Sequence, residues 1–278
     1  MRPDASMCLS RARRGGVRLG FVAFLLLVLS AAFAPAISPY DPTAQNLSAS
    51  LAAPSSSHPL GCDKLGRDQL SRLLVGARVS LGVGLLTVAL SVCIGVGIGA
   101  LAGYAGGLVD FWLMRIVDML LAFPGILLAI ALAAVLGPGI ANVIVTLSII
   151  GWTGYARLVR AEVRSLRARE HVHAAIALGA SPSRVLVRHV LPLVAAPLTV
   201  QAAFGVAGAI VGEASLSFLG LGVRPPMPSW GAMINDGRSY LLVAPHLTVY
   251  PGLAIFMTVL ALQSVGDSIR NRLSSRVS

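Results

Sequence analysis

The stretch REHVHAAIALGASPSRVLVRHVLP, Arg169 to Pro192, is a polar, cationic insert between two long apolar runs, and its punctuation decides how the chain folds. Glu170 to Leu178 has helical spacing, with Val172, Ala175 and Ile176 on one side. The small pair Ala174 and Ala175 offers a surface onto which another backbone packs closely. Gly179 is a natural stop, because glycine adopts left-handed backbone without a steric penalty. Ser181 is placed as an N-cap with Pro182 at the first helical position, opening a second helix through Arg184, Arg188 and His189. Pro192 opens the next apolar run. The spacing predicts a helical hairpin standing in water between two segments that avoid it.

Those segments dominate the composition. Of 278 residues 56% are hydrophobic and 12% charged, with mean hydropathy +0.80. A soluble domain of this length cannot hide so much apolar surface, so the bilayer is the implied solvent. Six apolar runs, charged only at Asp118, approach the roughly 20 residues that a spanning helix requires: about 19–37, 80–104, 116–137, 139–156, 193–212 and 247–266. With the N-terminus inside, only Lys64, Arg67, Arg72, Arg78, Arg224 and Arg238 lie outside, leaving 16 of the 22 basic residues on the cytoplasmic side. The net charge of +11 then follows from topology and lipid head groups, with no nucleic acid needed. A basic start, an apolar run and Ala32-Phe33-Ala34 also fit a cleaved secretory signal, but the run is long for a signal core and a retained helix is expected.

The expected organisation is a cytoplasmic tail over 1–18, a first transmembrane helix over 19–37 and an extracytoplasmic loop over 38–79. A core of five transmembrane helices follows over 80–268, holding the hairpin at 161–192, and then a cytoplasmic tail over 269–278. Within the loop, Leu70, Leu73 and Leu74 share a helical face while Arg67, Asp68 and Arg72 point elsewhere, which suggests a short amphipathic helix at the membrane surface or a loop tucked under its own helices. Cys8, Cys62 and Cys93 fall in three different compartments, so no disulfide is expected.

No side-chain constellation for catalysis stands out. A phosphate-binding loop ends in Gly-Lys-Ser/Thr, whereas Lys64 sits in Cys-Asp-Lys-Leu, so ATP hydrolysis by that route is excluded. There is no His-Glu-x-x-His and no Gly-x-Ser-x-Gly, and His171 and His173 face different sides of a helix. Neither a catalytic role nor a bound metal or cofactor is expected. Inside the apolar runs, Asp118 lies three residues after Arg115 and can pair with it on a helix. Phe123-Pro124-Gly125 interrupts the third run, as a kink lining a pathway or as a packing feature. Glu213 falls at the outer rim of the fifth run, read as a cap or loop anchor. Gly82, Gly84, Gly95, Gly97 and Gly99 have spacings that permit close helix contact, within the bundle or against a second subunit.

Three ordered motifs carry a resemblance. His173-Ala174-Ala175, Gly179 and His189-Val190-Leu191-Pro192 keep the spacing of the "EAA" motif of the permease subunits of bacterial ABC importers, with His173 in place of the usual Glu and His189 in place of Ile. Leu60-Gly61-Cys62-Asp63-Lys64-Leu65-Gly66-Arg67-Asp68, continuing to Gly76, Arg78, Ser80 and Leu81, resembles a signature of their dipeptide, oligopeptide and nickel subgroup, with Cys62 in place of Thr. Ala214 to Val223, followed by Pro225-Pro226 and Pro228-Ser229-Trp230-Gly231, matches the same subgroup.

The resemblance implies an all-α polytopic bundle of six transmembrane helices with a cytoplasmic coupling helix, a type I importer permease in a bacterial plasma membrane, both termini inside. It implies half of a translocation pathway for di- or oligopeptides or a related small solute delivered by an extracytoplasmic binding protein. The partners implied are a second, homologous permease and one or two ATPase subunits that hold ATP and magnesium. It places ATPase coupling on Glu170, His173, Ala174, Ala175, Leu178, Gly179, Ala180 and Ser181. Asp118, Phe123, Pro124, Ser215 and Ser217 are the expected pathway residues. The alternative, an ion-coupled secondary transporter, calls for central carboxylates and an internal repeat, neither of which is apparent.

Overall fold

The structure is a computed structural model that describes residue 22 and residues 24–274. It is helical throughout: among the described residues no strand forms, and the one β-bridge joins Cys62 to Asp68. Helix α1 covers 24–32 and resumes after a turn as Ala34–Ile37. The expected first span begins at 19, outside the described residues. Helices α2 (Gln69–Ala105), α3 (Gly107–Leu121), α4 (Gly125–Leu136) and α5 (Ile140–Arg167) follow. Then come α6 (Glu170–Ala177), α7 (Pro182–Val185), α8 (Leu191–Phe218), α9 (Trp230–Gly237) and α10 (His246–Ser274). Among the described residues four stretches are long and apolar enough to cross a membrane, Gln69–Ala105, Ile140–Arg167, Pro182–Phe218 and His246–Asn271, and the bent pair α3–α4 would make a fifth.

The separate amphipathic helix expected near 67–74 does not form. Asp68 caps α2 by accepting the Ser71 N–H at 2.8 Å, so helix starts at Gln69 and runs unbroken for 37 residues. At 1.5 Å per residue that is about 55 Å, well beyond the roughly 30 Å of a hydrocarbon core. The Gln69 end therefore stands outside the apolar layer, which is why Arg67, Asp68 and Arg72 turn inward to one another rather than to a membrane surface.

The third expected span is two helices. Pro124 has no N–H for the preceding turn and sits extended at ψ 119°, so α3 ends at Leu121 and α4 starts afresh with the Leu127 and Leu128 N–H groups on the Pro124 carbonyl. The two meet at 87°, a near right angle in place of a kink. Together they return the chain from the Ala105 end of α2 to the start of α5 and so act as one broken span.

Helices α2 and α5 run parallel, fixed by glycines at three successive levels. A Cβ at Gly95 would lie 2.5 Å from the Tyr155 Cβ, at Gly99 2.5 Å from the Ala156 carbonyl oxygen, and at Gly103 2.8 Å from that of Arg160. Helix α8 runs antiparallel to both, with Gly84 against Ile210 and Gly205 against Tyr155. Helix α10 lies antiparallel to α8, with Gly266 on Phe204, while its start, Leu247, takes the Gln69 side-chain N–H at 3.2 Å. Successive crossings thus alternate in direction. The expected small-residue packing is real at Gly84, Gly95 and Gly99, whereas Gly82 and Gly97 face open space.

Gly95→Val and Gly99→Val should each cost about 1–3 kcal/mol by overpacking, read as a lowered Tm of the purified protein, whereas Gly97→Val should change it by less than about 0.5 kcal/mol.

Candidate functional site

At the Gln69 end the second and third motifs are one joint. Gly61 and Gly66 both have positive φ, and a Cβ at Gly66 would lie 1.7 Å from the Asn46 carbonyl oxygen, so the chain turns there only with glycine. That turn brings Asp63 inward. Its Oδ1 accepts the Leu65 and Arg67 N–H groups at 2.9 and 3.0 Å, and its Oδ2 takes Arg67 Nε at 2.6 Å and lies 3.4 Å from Arg72 Nε. Asp236, on α9, adds the second carboxylate, 2.8 Å from Lys64 Nζ and 3.6 and 3.7 Å from Arg67 and Arg72. Asp68 is held by His58 Nδ1 and by the Ser71 N–H and hydroxyl, each at 2.8 Å. Cys62 is enclosed beside them, and burial first, then the Asp68 and Asp63 charges, pushes its thiol up from its ordinary value.

One turn deeper the joint continues through Glu213, expected at a rim but wholly buried. Its carboxylate accepts the Ser80 hydroxyl at 3.1 Å and the Ser217 hydroxyl at 2.7 Å. Those hydroxyls in turn accept the Trp230 N–H (3.3 Å) and the Val223 N–H (3.3 Å). Trp230 also donates its indole N–H to the Leu73 carbonyl at 3.1 Å. Glu213 was read as an anchor and it is one, joining α2, α8 and the segment leading to α9. Ser217, an expected pathway residue, spends its hydroxyl here, and Ser215 gives its own to the Val211 carbonyl at 2.8 Å.

Between the two ends, a cavity of about 320 Å³ opens among α2, α4, α5 and α8. Six glycines line it, Gly125, Gly151, Gly154, Gly205, Gly208 and Gly212, with Ser91, Tyr155 and Gln201 as polar groups. It adjoins the Phe123-Pro124-Gly125 break through Gly125 and Ile126. No motif marked this cavity. The signal available was the i, i+3, i+7 spacing of Gly205, Gly208 and Gly212, which puts three bare positions on one helix face.

At the Ala105 end, α3 is clamped to α5. Asp110 pairs with Arg160 through Nε and Nη2 (the latter at 2.6 Å) and lies 3.5 Å from Arg164. Asp118 pairs with Arg157 at 2.5 Å, not with Arg115, whose guanidinium stacks 5.2 Å over the Phe111 ring. The neighbouring helix offers Asp118 a facing cation, whereas Arg115 finds an aromatic face one turn away on its own helix.

Helix α5 leads directly into the expected hairpin. Val172, fully buried, ties α6 to Val163, Leu166, Val185 and Val190. The chain leaves α6 through Gly179 at φ +84°, with the Ala180 N–H on the Ala175 carbonyl at 3.1 Å, a Schellman-type stop. Glu170, His173, Ala174, Leu178, Gly179 and Ser181 are exposed, with Ala175 and Ala180 half-buried; Leu178 shows 89% of its surface. Ile176, expected on the packed side with Val172, is exposed as well. Ser181 occupies the N-cap position before Pro182, but its side chain makes no capping bond and lies 3.4 Å from the Ser183 hydroxyl. The second limb is not a separate helix either. Pro182–Val185 passes through a π-turn, Leu186–Val190, straight into α8. The Leu191 N–H bonds the Leu186 carbonyl, five residues back, just before Pro192, which has no N–H to give.

The family described as "Binding-protein-dependent transport system inner membrane component" matches residues 95–278, and "N-terminal TM domain of oligopeptide transport permease C" matches residues 13–54. The chain is 45% identical over 258 residues to the "Glutathione transport system permease protein GsiD" of Pectobacterium atrosepticum, covering 91% of this chain and 85% of that one. It is 46% identical over 257 residues to the proteins of the same description from Escherichia coli O157:H7 and Shigella boydii, covering 91% of this chain and 84% of each.

Asp63→Ala leaves two buried guanidiniums without their shared carboxylate and should cost about 3–5 kcal/mol. Asp236→Ala, at a partly exposed carboxylate, should cost about 1 kcal/mol or less. Thermal unfolding of the purified chains in detergent distinguishes them.

Proposed function

The chain belongs to the binding-protein-dependent transport system inner membrane component family, and on that premise we propose that its α6 hairpin is the surface through which ATP hydrolysis on other subunits drives passage along the glycine-lined cavity. It is a permease subunit of an ABC importer, a multi-pass membrane protein that carries solute and is not itself the ATPase.

The observation that carries the coupling role is the exposure of Ile176 and Leu178 at the end of a helix whose first turn is locked into the α5–α8 core through Val172. An apolar face on a short, rigidly mounted helix suits a groove on a partner, and a short helix transmits rigid-body motion where a loop does not. Glu170, His173, Ala174, Ala175, Leu178, Gly179, Ala180 and Ser181 make up this surface. The arginine pairs of α5 with Asp110 and Asp118 would carry its movement to α3 and so to the Phe123-Pro124 break.

The solute is assigned to the di- and oligopeptide class or a related small molecule such as glutathione. The kinship with glutathione transport permeases and the small, mostly apolar lining of the cavity, with a few hydroxyl and amide groups, support this. Asp118, Phe123, Pro124, Ser215 and Ser217 are proposed to border the path beyond the cavity itself, the first three through the α3–α4 break that adjoins it and the serines from the end of α8 past Gly212. The assembly comprises a homologous second permease, one or two ATPase subunits holding ATP and magnesium, and an extracytoplasmic binding protein. In the inner membrane both termini face the cytoplasm, with arginine concentrated on that side. The segments proposed are a tail over 1–18, a first span over 19–37, an outer loop over 38–79 whose end is the first turns of α2, a core over 80–268 and a tail over 269–278.

Reconstitution with the cognate permease, binding protein and ATPases should give peptide or glutathione uptake that stops when the ATPases are left out. Uptake that persists fully without them, or that an ionophore abolishes at constant ATP, overturns the reading. Gly179→Pro cannot take the φ of +84° and should sharply reduce ATPase pull-down while the chain still inserts; normal assembly would count against the coupling surface.

A further inference from the structure

A groove of about 180 Å³ runs between α1 and α2, floored by Phe24, Val28, Ala31, Leu81, Leu85 and Val206, with Arg78 among its lining residues. Val28 and Leu85 are exposed, so the groove opens sideways away from the bundle. A Cβ at Gly82 would meet nothing within 4 Å, which leaves its floor bare at mid-length. No carboxylate lines the groove.

Arg78 is unlike the two arginines before it on the chain. Arg67 and Arg72 are buried and share Asp63 and Asp236. Arg78 is exposed, and among the described residues no ion pair, hydrogen bond or ring contact holds its guanidinium. It is also the last charge before the uncharged stretch 79–109, so it stands where the apolar body of the span begins. A long cationic side chain at that level keeps its stem in hydrocarbon and its head among phosphates.

We infer that this groove is a binding site for one phospholipid, its acyl chain along α1 and α2 and its phosphate on Arg78. The guanidinium presents paired N–H donors that match two phosphate oxygens, and the walls below are apolar. A cation at the head of an apolar, laterally open groove with no acid beside it is complementary to an amphiphile carrying a single anion. The assignment rests on α2 being a span and not on which side of the membrane the Gln69 end faces.

Native mass spectrometry of the purified transporter, stripped in detergent and titrated with phosphatidylglycerol, tests it. Arg78→Gln loses a charge-assisted contact and should retain that lipid about tenfold less well than the unaltered chain. Arg78→Lys should fall between, and Gly82→Phe, which fills the floor but keeps the cation, should also lose the lipid. Glycerol phosphate, the head group without chains, should not compete. Equal retention by all the variants, or full competition by glycerol phosphate, overturns the site. A photo-crosslinking residue replacing Gly82 should join to lipid, and a product joined to a second polypeptide instead would assign the groove to a protein interface.

Discussion

The parallel seam between α2 and α5 is the constraint on which the rest of the molecule hangs. In a bilayer, apolar side chains gain nothing by leaving lipid for one another, so two helices hold together only if their backbones come close enough for dense contact. Gly95, Gly99 and Gly103 provide that approach at three successive levels. Because the seam fixes α2 lengthwise against α5, it also fixes the distance between what each carries at its far end. On α2 this is the Asp63–Asp236 joint, and on α5 it is the α6 hairpin. The two ends are joined by a pair of helices that cannot slide without a backbone collision.

The two motifs that lie 150 residues apart in sequence make sense only as a single three-dimensional unit, with Trp230 donating to Ser80 across that separation. The glycines shape the turns, the aspartates gather the arginines, and Glu213 receives the serines beneath. Glu213 and Trp230 are buried and make hydrogen bonds across to α2, at Ser80 and the Leu73 carbonyl, and removing either partner strands the one left behind.

How much of this could be read from the sequence depends on whether the signal is local. The hairpin was legible because its devices, Gly179 as a stop and Pro182 as a start, act within a few residues. Four of the six expected spans were legible too, since apolar length is itself the physical criterion; the third is a bent pair of helices, and the first begins outside the described residues. The partner of Asp118 was not, because a neighbour three or four residues away is visible on paper whereas a facing cation on another helix is not. The right angle at Pro124 was half visible: proline announces a break, but its angle is set by what the following helix packs against. Glu213 was misjudged in depth because its position along the helix was counted without the loop that folds back over it.

The π-turn at Leu186–Val190 has a geometric effect on the hairpin. Each residue of an α-helix advances by about 100° around the axis. One extra residue in the turn before Pro192 therefore leaves everything ahead of it pointing about a quarter-turn away from where an uninterrupted helix would aim it. The compass bearing of the α6 hairpin, measured against the wall that α8 gives the cavity, is thus written into the count of residues in one five-residue turn. An insertion or deletion there would swing the exposed Ile176–Leu178 end of the hairpin toward a different quarter.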